Sequence, residues 1–229
     1  MFEKLRSSTR RLLGRGGQKT THDREQWLNE SQEGEFQWHL NDRKRRAPEQ
    51  WMKRNGRLLD HFGFSPSQFA GKTVLDLGAG SRLRTKYFEG ATIIAIEPLA
   101  DRYRAEIPWC DLDDAAEVYS APAEERIASC ADRADLVLSV NVLDHCYDFA
   151  TIIENVHTYV KSDGLVFFSF DKHEKADAMH PLELDEKICE EIFSRQGFRI
   201  ERATQGTGGV LPANTYGHGP YCLNYALRK

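Results

Sequence analysis

The run Val74-Leu75-Asp76-Leu77-Gly78-Ala79-Gly80-Ser81 constrains this 229-residue chain more than any other segment. Thr73–Leu77 reads as a short buried strand. The glycines after it make a tight turn where a ligand can approach the backbone closely. A second apolar run, Ala91–Ile96, ends on Glu97-Pro98. Leu136–Val140 and Gly164–Phe170 read as further strands, and Val118 marks a weak one. Asp101–Ala105 suggests a short helix. Ala150–Val160 carries Ile152, Ile153, Val156 and Val160 at helical spacing, and Leu184–Gln196 is a helix stopped by Gly197. Strands alternating with helices predict an α/β fold with a mostly parallel sheet. Phe198–Ala203 and Tyr221–Leu227 are the last two strands. The Gly-rich Gln205–Pro220 between them leaves no room for a crossover helix, so that pair is expected to be antiparallel.

In open α/β sheets ligands bind beyond the C-terminal strand ends. Two acids fall there: Asp76, two residues before the glycines, and Glu97, 21 residues later. A carboxylate ending the second strand accepts hydrogen bonds from a ribose diol. A dinucleotide fingerprint needs G-x-G-x-x-G, but Leu83 stands at the third glycine, and Asp76 would repel a pyrophosphate. An acid at that position suits a cationic ligand. S-adenosylmethionine, with an ammonium, a sulfonium and a ribose, fits both acids.

At these residues the chain resembles the class I S-adenosylmethionine-dependent methyltransferases of the small-molecule or glycan type. VLDLGAGSR is similar to their first motif and IIAIEPLA to their second. ADLVLSVNVLDHCYD resembles the fourth-strand segment, KSDGLVFFSF the fifth, and HPLELDEKICEEIFSRQGFRIE the closing helix and sixth strand. The resemblance covers roughly residues 70–204 and the last strand. It implies a Rossmann-like seven-stranded sheet with an antiparallel last strand, S-adenosylmethionine as cofactor, S-adenosylhomocysteine as product, and no metal. Gly78, Ala79 and Gly80 would flank the methionine portion, with Asp76 behind its amino group. Glu97, followed by Pro98, would bind the ribose. Ala123 and Glu124 match the pair near the adenine, and Asn141 the strand-four position. Two residues depart from the pattern: Arg82 replaces a usual glycine, and Pro122 stands where an adenine-binding Asp is common.

Methyl transfer from a sulfonium is an in-line displacement governed by positioning and desolvation. A hydroxyl acceptor also needs a base. Asp144 and His145 follow strand four, Asp171 and His173 follow strand five, and His180 precedes the last helix. The catalytic candidates are His180, His145 and Asp144. Trp38, His39, Asp171 and Tyr216 are the candidate acceptor contacts.

Residues 1–57 carry 14 Lys+Arg against 8 Asp+Glu, a net of +6, whereas residues 58–229 carry a net of −10. The expected organisation is a basic flexible arm (1–20), a helical lid (21–69) and the cofactor-binding domain (70–229). Phe2–Leu13 allows a short amphipathic helix, and Trp27, Phe36, Trp38 and Trp51 give residues 21–54 a reason to dock on the body. An acidic body makes nucleic acid an unfavoured partner, while the arm can make weak contact with an anionic surface. No run approaches 18 apolar residues, and five widely spaced cysteines without C-x-x-C support neither a disulfide framework nor structural zinc. A cytoplasmic enzyme is the expectation. An RNA or protein methyltransferase recruited by the arm, and an inactive binding protein on the same fold, are the alternatives.

Overall fold

The computed structural model describes residues 12–13, 19–20, 23–42, 46–173, 175–207 and 221–229. Seven strands form the main sheet: β1 (Thr73–Leu77), β2 (Thr92–Ile96), β3 (Glu117–Tyr119), β4 (Ala134–Val140), β5 (Val160–Lys172), β6 (Arg199–Thr207) and β7 (Tyr221–Arg228). Their order is β3-β2-β1-β4-β5-β7-β6. Strands β1 to β5 pair in parallel, and β7 runs antiparallel to both β5 and β6. This is the α/β sheet expected from the motif order.

Burial explains why the central strands read as unbroken apolar runs: both faces of the sheet are covered. Alternation sends Leu75 and Leu77 to one side, where Ile152, Ile153 and Val156 of helix Phe149–Tyr159 pack. Val74 turns to the other, against Leu58 and Leu59 of helix Pro48–His61. Asp148 caps the first of these helices through the Thr151 N–H, and Pro48 opens the second at its first turn. Helix Glu186–Arg195 is capped by Asp185 and ends before Gly197, whose φ is +84°.

Ahead of the sheet, Arg24–Gln26, Trp27–Ser31 in π-helical form and Gln32–Asn41 run as one helical segment. Leu12–Leu13 pairs with Lys19–Thr20, which pairs with Leu182–Glu183. This corrects the helix expected to reach Leu13, and it seats part of the basic arm on a strand edge, which offers unpaired backbone groups. The rest of the arm, and Tyr216 within 208–220, lie outside the described residues.

Candidate active site

Parallel strands end together, so β1, β2 and β4 deliver Gly78, Glu97 and Asn141 to one rim. There they line an open cavity with Gly80, Pro98 and Ala123. Gly78 and Gly80 have φ of +73° and +65°. A Cβ on Gly78 would lie 2.4 Å from a Val142 methyl, and one on Gly80 would lie 2.5 Å from His39 Cε1. The turn therefore requires glycine twice over.

Glu97 is buried, at 5% exposure. Its Oε2 accepts from the Gly80 N–H (2.8 Å) and its Oε1 from the Leu99 N–H (3.0 Å), leaving each oxygen a second lone pair. Burial, reinforced by the charges of Glu35 and Asp76, raises its pKa to about 7 against the pull of those two N–H groups. Glu124 is likewise raised to about 7 by burial. Its Oε1 holds the Tyr147 and Asp148 N–H groups, while buried Oε2 has no hydrogen-bond partner among the described residues. Gln32 Oε1, on the first cavity's wall, is in the same condition. Glu97 and Gln32, both on the cavity wall, match a donor-rich ligand bearing hydroxyls, an ammonium and an amine, so the residues present fit S-adenosylmethionine, whereas Glu124 lines none of the three cavities around the turn.

Asp76 lies at the end of β1, just before the turn. It sits behind the turn, accepts from Thr85 Oγ1 (2.8 Å) and N–H (3.3 Å), and lines none of the three cavities around the turn. Burial raises its pKa, with the Thr85 hydroxyl opposing. Ala79, expected at the site, and Arg84, which sequence reasoning passed over, line a smaller cavity of about 360 Å³ beside the glycines. Arg84 donates to Asn55 Oδ1 (2.8 Å) and the Val140 carbonyl (2.9 Å), which hold its cation at the β4 end.

A second large cavity of about 640 Å³ adjoins the first, lined by Glu35, Trp38, Asn141, His145, Asp171 and His180, together with Met179. Glu35, Asn141 and His145 face both. His145 Nδ1 lies 2.9 Å from Glu35, and its Nε2 lies 3.8 Å from Asp144 Oδ2. Burial disfavours charge on His145, but Asp144 and Glu35 outweigh it and push the pKa up to about 10. His180 goes the other way, lowered by burial and by the His145 charge. Asp144 is held below the usual carboxylate range by His145 and His173 in spite of burial. All three catalytic candidates thus meet at one place. Of the acceptor candidates, Trp38 and Asp171 line the second cavity. His39 does not: it packs over the first, with its Nδ1 2.8 Å from Ser81 Oγ and its ring stacked on Tyr103 at 4.7 Å. Glu35 was missed; its only signal was its place four residues before His39 on a polar helix.

The helical segment 24–41 is fastened over both cavities. Trp27 Nε1 donates to the His145 carbonyl (2.6 Å), and Ser31 Oγ donates to the Ala178 carbonyl (2.6 Å). Arg102 pairs with Glu33 (2.6 Å) and lies 3.5 Å over the Phe36 ring.

Comparison with known proteins agrees with this geometry. The ubiquinone biosynthesis O-methyltransferase of Azotobacter vinelandii is 33% identical over 106 residues, 44% of this chain and 45% of that protein. The protein of the same name from Actinobacillus pleuropneumoniae serotype 5b is 29% identical over 118 residues, 48% of this chain and 50% of that one. The chain thus matches about half the length of these curated relatives. The crystal structure of Burkholderia thailandensis 1,6-didemethyltoxoflavin-N1-methyltransferase, with bound 1,6-didemethyltoxoflavin and S-adenosylhomocysteine, shares the fold with a TM-score of 0.55. It is 20% identical and covers 90% of this chain and 86% of its own. A family model described as a methyltransferase domain matches residues 42–203. With the glycine turn, the acid-tipped second strand and the paired cavities in place, the chain belongs to that methyltransferase domain family.

Proposed function

We propose that this protein binds S-adenosylmethionine in the first cavity and methylates a hydroxyl of a small molecule held in the second. The observation that carries this reading is that the two cavities adjoin and share Glu35, Asn141 and His145. A methyl group passing between them needs no tunnel. S-adenosylmethionine, when bound, supplies an electrophilic methyl on a sulfonium.

The chain's own residues do the positioning. Glu97 accepts the ribose hydroxyls on its remaining lone pairs, and Gly78 and Gly80 let the ligand lie on bare backbone. Arg84 offers a cation for a carboxylate beside the glycines. Asn141, held with φ of +62° at the end of β4, stands between the two ligands. The segment 24–41 acts as a lid that excludes water, which strengthens every polar interaction inside. His145, held as a cation by Glu35 and Asp144, hydrogen-bonds the acceptor oxygen, and neutral His180 draws off its proton. The O-methyltransferase names of the curated relatives support a hydroxyl acceptor. Five unpaired cysteines suit a reducing compartment such as the cytoplasm. Among the described residues no helix is long and apolar enough to cross a membrane.

The test is transfer of labelled methyl from S-adenosylmethionine to a panel of phenols, catechols, sugars and amines. Label in a phenol or catechol supports the reading. Label only in amines, or only in protein or RNA, overturns the acceptor class.

A further inference from the structure

We propose that Asp144, His173 and His180 form a divalent transition-metal site beside the acceptor cavity, and that the ion holds the acceptor oxygen. One carboxylate oxygen and one nitrogen from each imidazole lie within 4.8 Å of one another. His173 Nε2 already stands 2.8 Å from Asp144 Oδ2, and the His173 and His180 rings are 3.9 Å apart. Metal–imidazole bonds are about 2.0–2.1 Å, so small side-chain shifts gather the three onto one ion.

Two further observations point to a cation. Asp144 is 1% exposed, yet its Oδ1 has no hydrogen-bond partner among the described residues, an expensive state for a buried carboxylate. His180 is also oriented from behind: its Nδ1 faces Asp177 at 3.1 Å, and Asp177 is itself fixed by the Met179 and His180 N–H groups at 2.8 Å. A carboxylate on the outer nitrogen leaves Nε2 for the ion, the arrangement that tunes metal-bound histidines. The surrounding charge agrees. Asp144, Asp171 and Glu35 face this region, and His145 is the cation among them.

Two imidazoles and one carboxylate favour zinc-like ions over magnesium or calcium. His180 and Asp171 line the cavity, so the open coordination positions face the acceptor. A phenol, or a catechol through both oxygens, would bind there. Its O–H proton passes to solvent as the oxygen joins the ion. The oxygen lone pair then attacks the methyl carbon, the carbon–sulfur bond breaks, and its electron pair stays on sulfur as the neutral thioether. The ion's part is to lower the hydroxyl pKa.

This inference rests on the acceptor reading above, but its test uses metal binding. The full chain, freed of metal with chelator, is titrated with Co²⁺ and followed by visible absorption, then competed with Zn²⁺. The expected result is one ion per chain with d–d bands. His173→Ala and His180→Ala should each weaken binding at least tenfold, and Asp177→Asn about tenfold, while His157→Ala leaves it unchanged. S-adenosylhomocysteine calorimetry on the same samples checks folding and separates the two readings. Cofactor binding without stoichiometric Co²⁺, or Co²⁺ binding untouched by both histidine variants, overturns the metal site and leaves bare imidazoles to do the work. Loss of cofactor binding in the unmutated chain overturns the methyltransferase reading instead.

Discussion

Glu97 shows how one side chain ties fold to chemistry. It fastens the glycine turn to the second strand and still offers lone pairs to a ligand. Glu97→Ala should therefore weaken S-adenosylhomocysteine binding by about 1.5–3 kcal/mol, the scale of hydrogen bonds to a charged group; unchanged calorimetric affinity would remove it from the ribose role. The carboxylate is the form that accepts from a diol, so affinity should rise between pH 6 and 8, with proton release on binding. Stability runs oppositely. The folded pKa of about 7 lies above the ordinary 4.5, for Glu97 and Glu124 alike. Their contribution is full below pH 4.5 and is lost as pH rises through 7. The melting temperature of the ligand-free protein should fall across that window, and less so in Glu97→Gln. Gly80→Ala places a side chain at φ +65° against His39, and should cost about 1–3 kcal/mol in denaturant unfolding. Glu97 was legible in the sequence because an acid ending an apolar strand has few other uses. Asp76 was placed correctly in its strand, but Thr85, nine residues on, captured it. Arg84 stands in a short turn with no pattern to announce it. Asp144 meets His173 across 29 residues of chain, a closure no local spacing reveals.

Among the elements, the strands and the helices Phe149–Tyr159 and Glu186–Arg195 were readable from periodicity. Helix Pro48–His61 starts where proline fixes the first turn, and an apolar stripe follows. The lid was expected to be helical, but no apolar periodicity marked the bounds of its helix Gln32–Asn41. It buries only Gln32, Phe36 and His39, so its apolar face is nearly absent. What betrayed docking was its aromatic content: Trp27 is 2% and Phe36 1% exposed. Trp27→Ala removes that anchor and the bond to the His145 carbonyl, and should cost about 3–5 kcal/mol by the scale of large core truncations. Limited proteolysis should then cut within residues 23–42 faster than in the unmutated protein, and S-adenosylhomocysteine should slow the cutting. Cleavage indifferent to both would mean that the segment is a tether and not a lid.

For the whole molecule, the mostly parallel sheet and its antiparallel end were legible because strands alternate with helices up to the Gly-rich Gln205–Pro220. The seating of Lys19–Thr20 on Leu182–Glu183 was not, since two-residue pairings carry no sequence pattern. The fold itself would serve a nicotinamide dinucleotide as well as a sulfonium cofactor; what separates them is Leu83 in place of a third glycine and the carboxylates around the turn. Titration calorimetry of the full chain against S-adenosylhomocysteine and NAD, side by side, therefore tests the central claim most directly. The account predicts stoichiometric S-adenosylhomocysteine binding, weakened in Glu97→Ala, and no heat of binding from NAD. Binding of NAD with none of S-adenosylhomocysteine would contradict it.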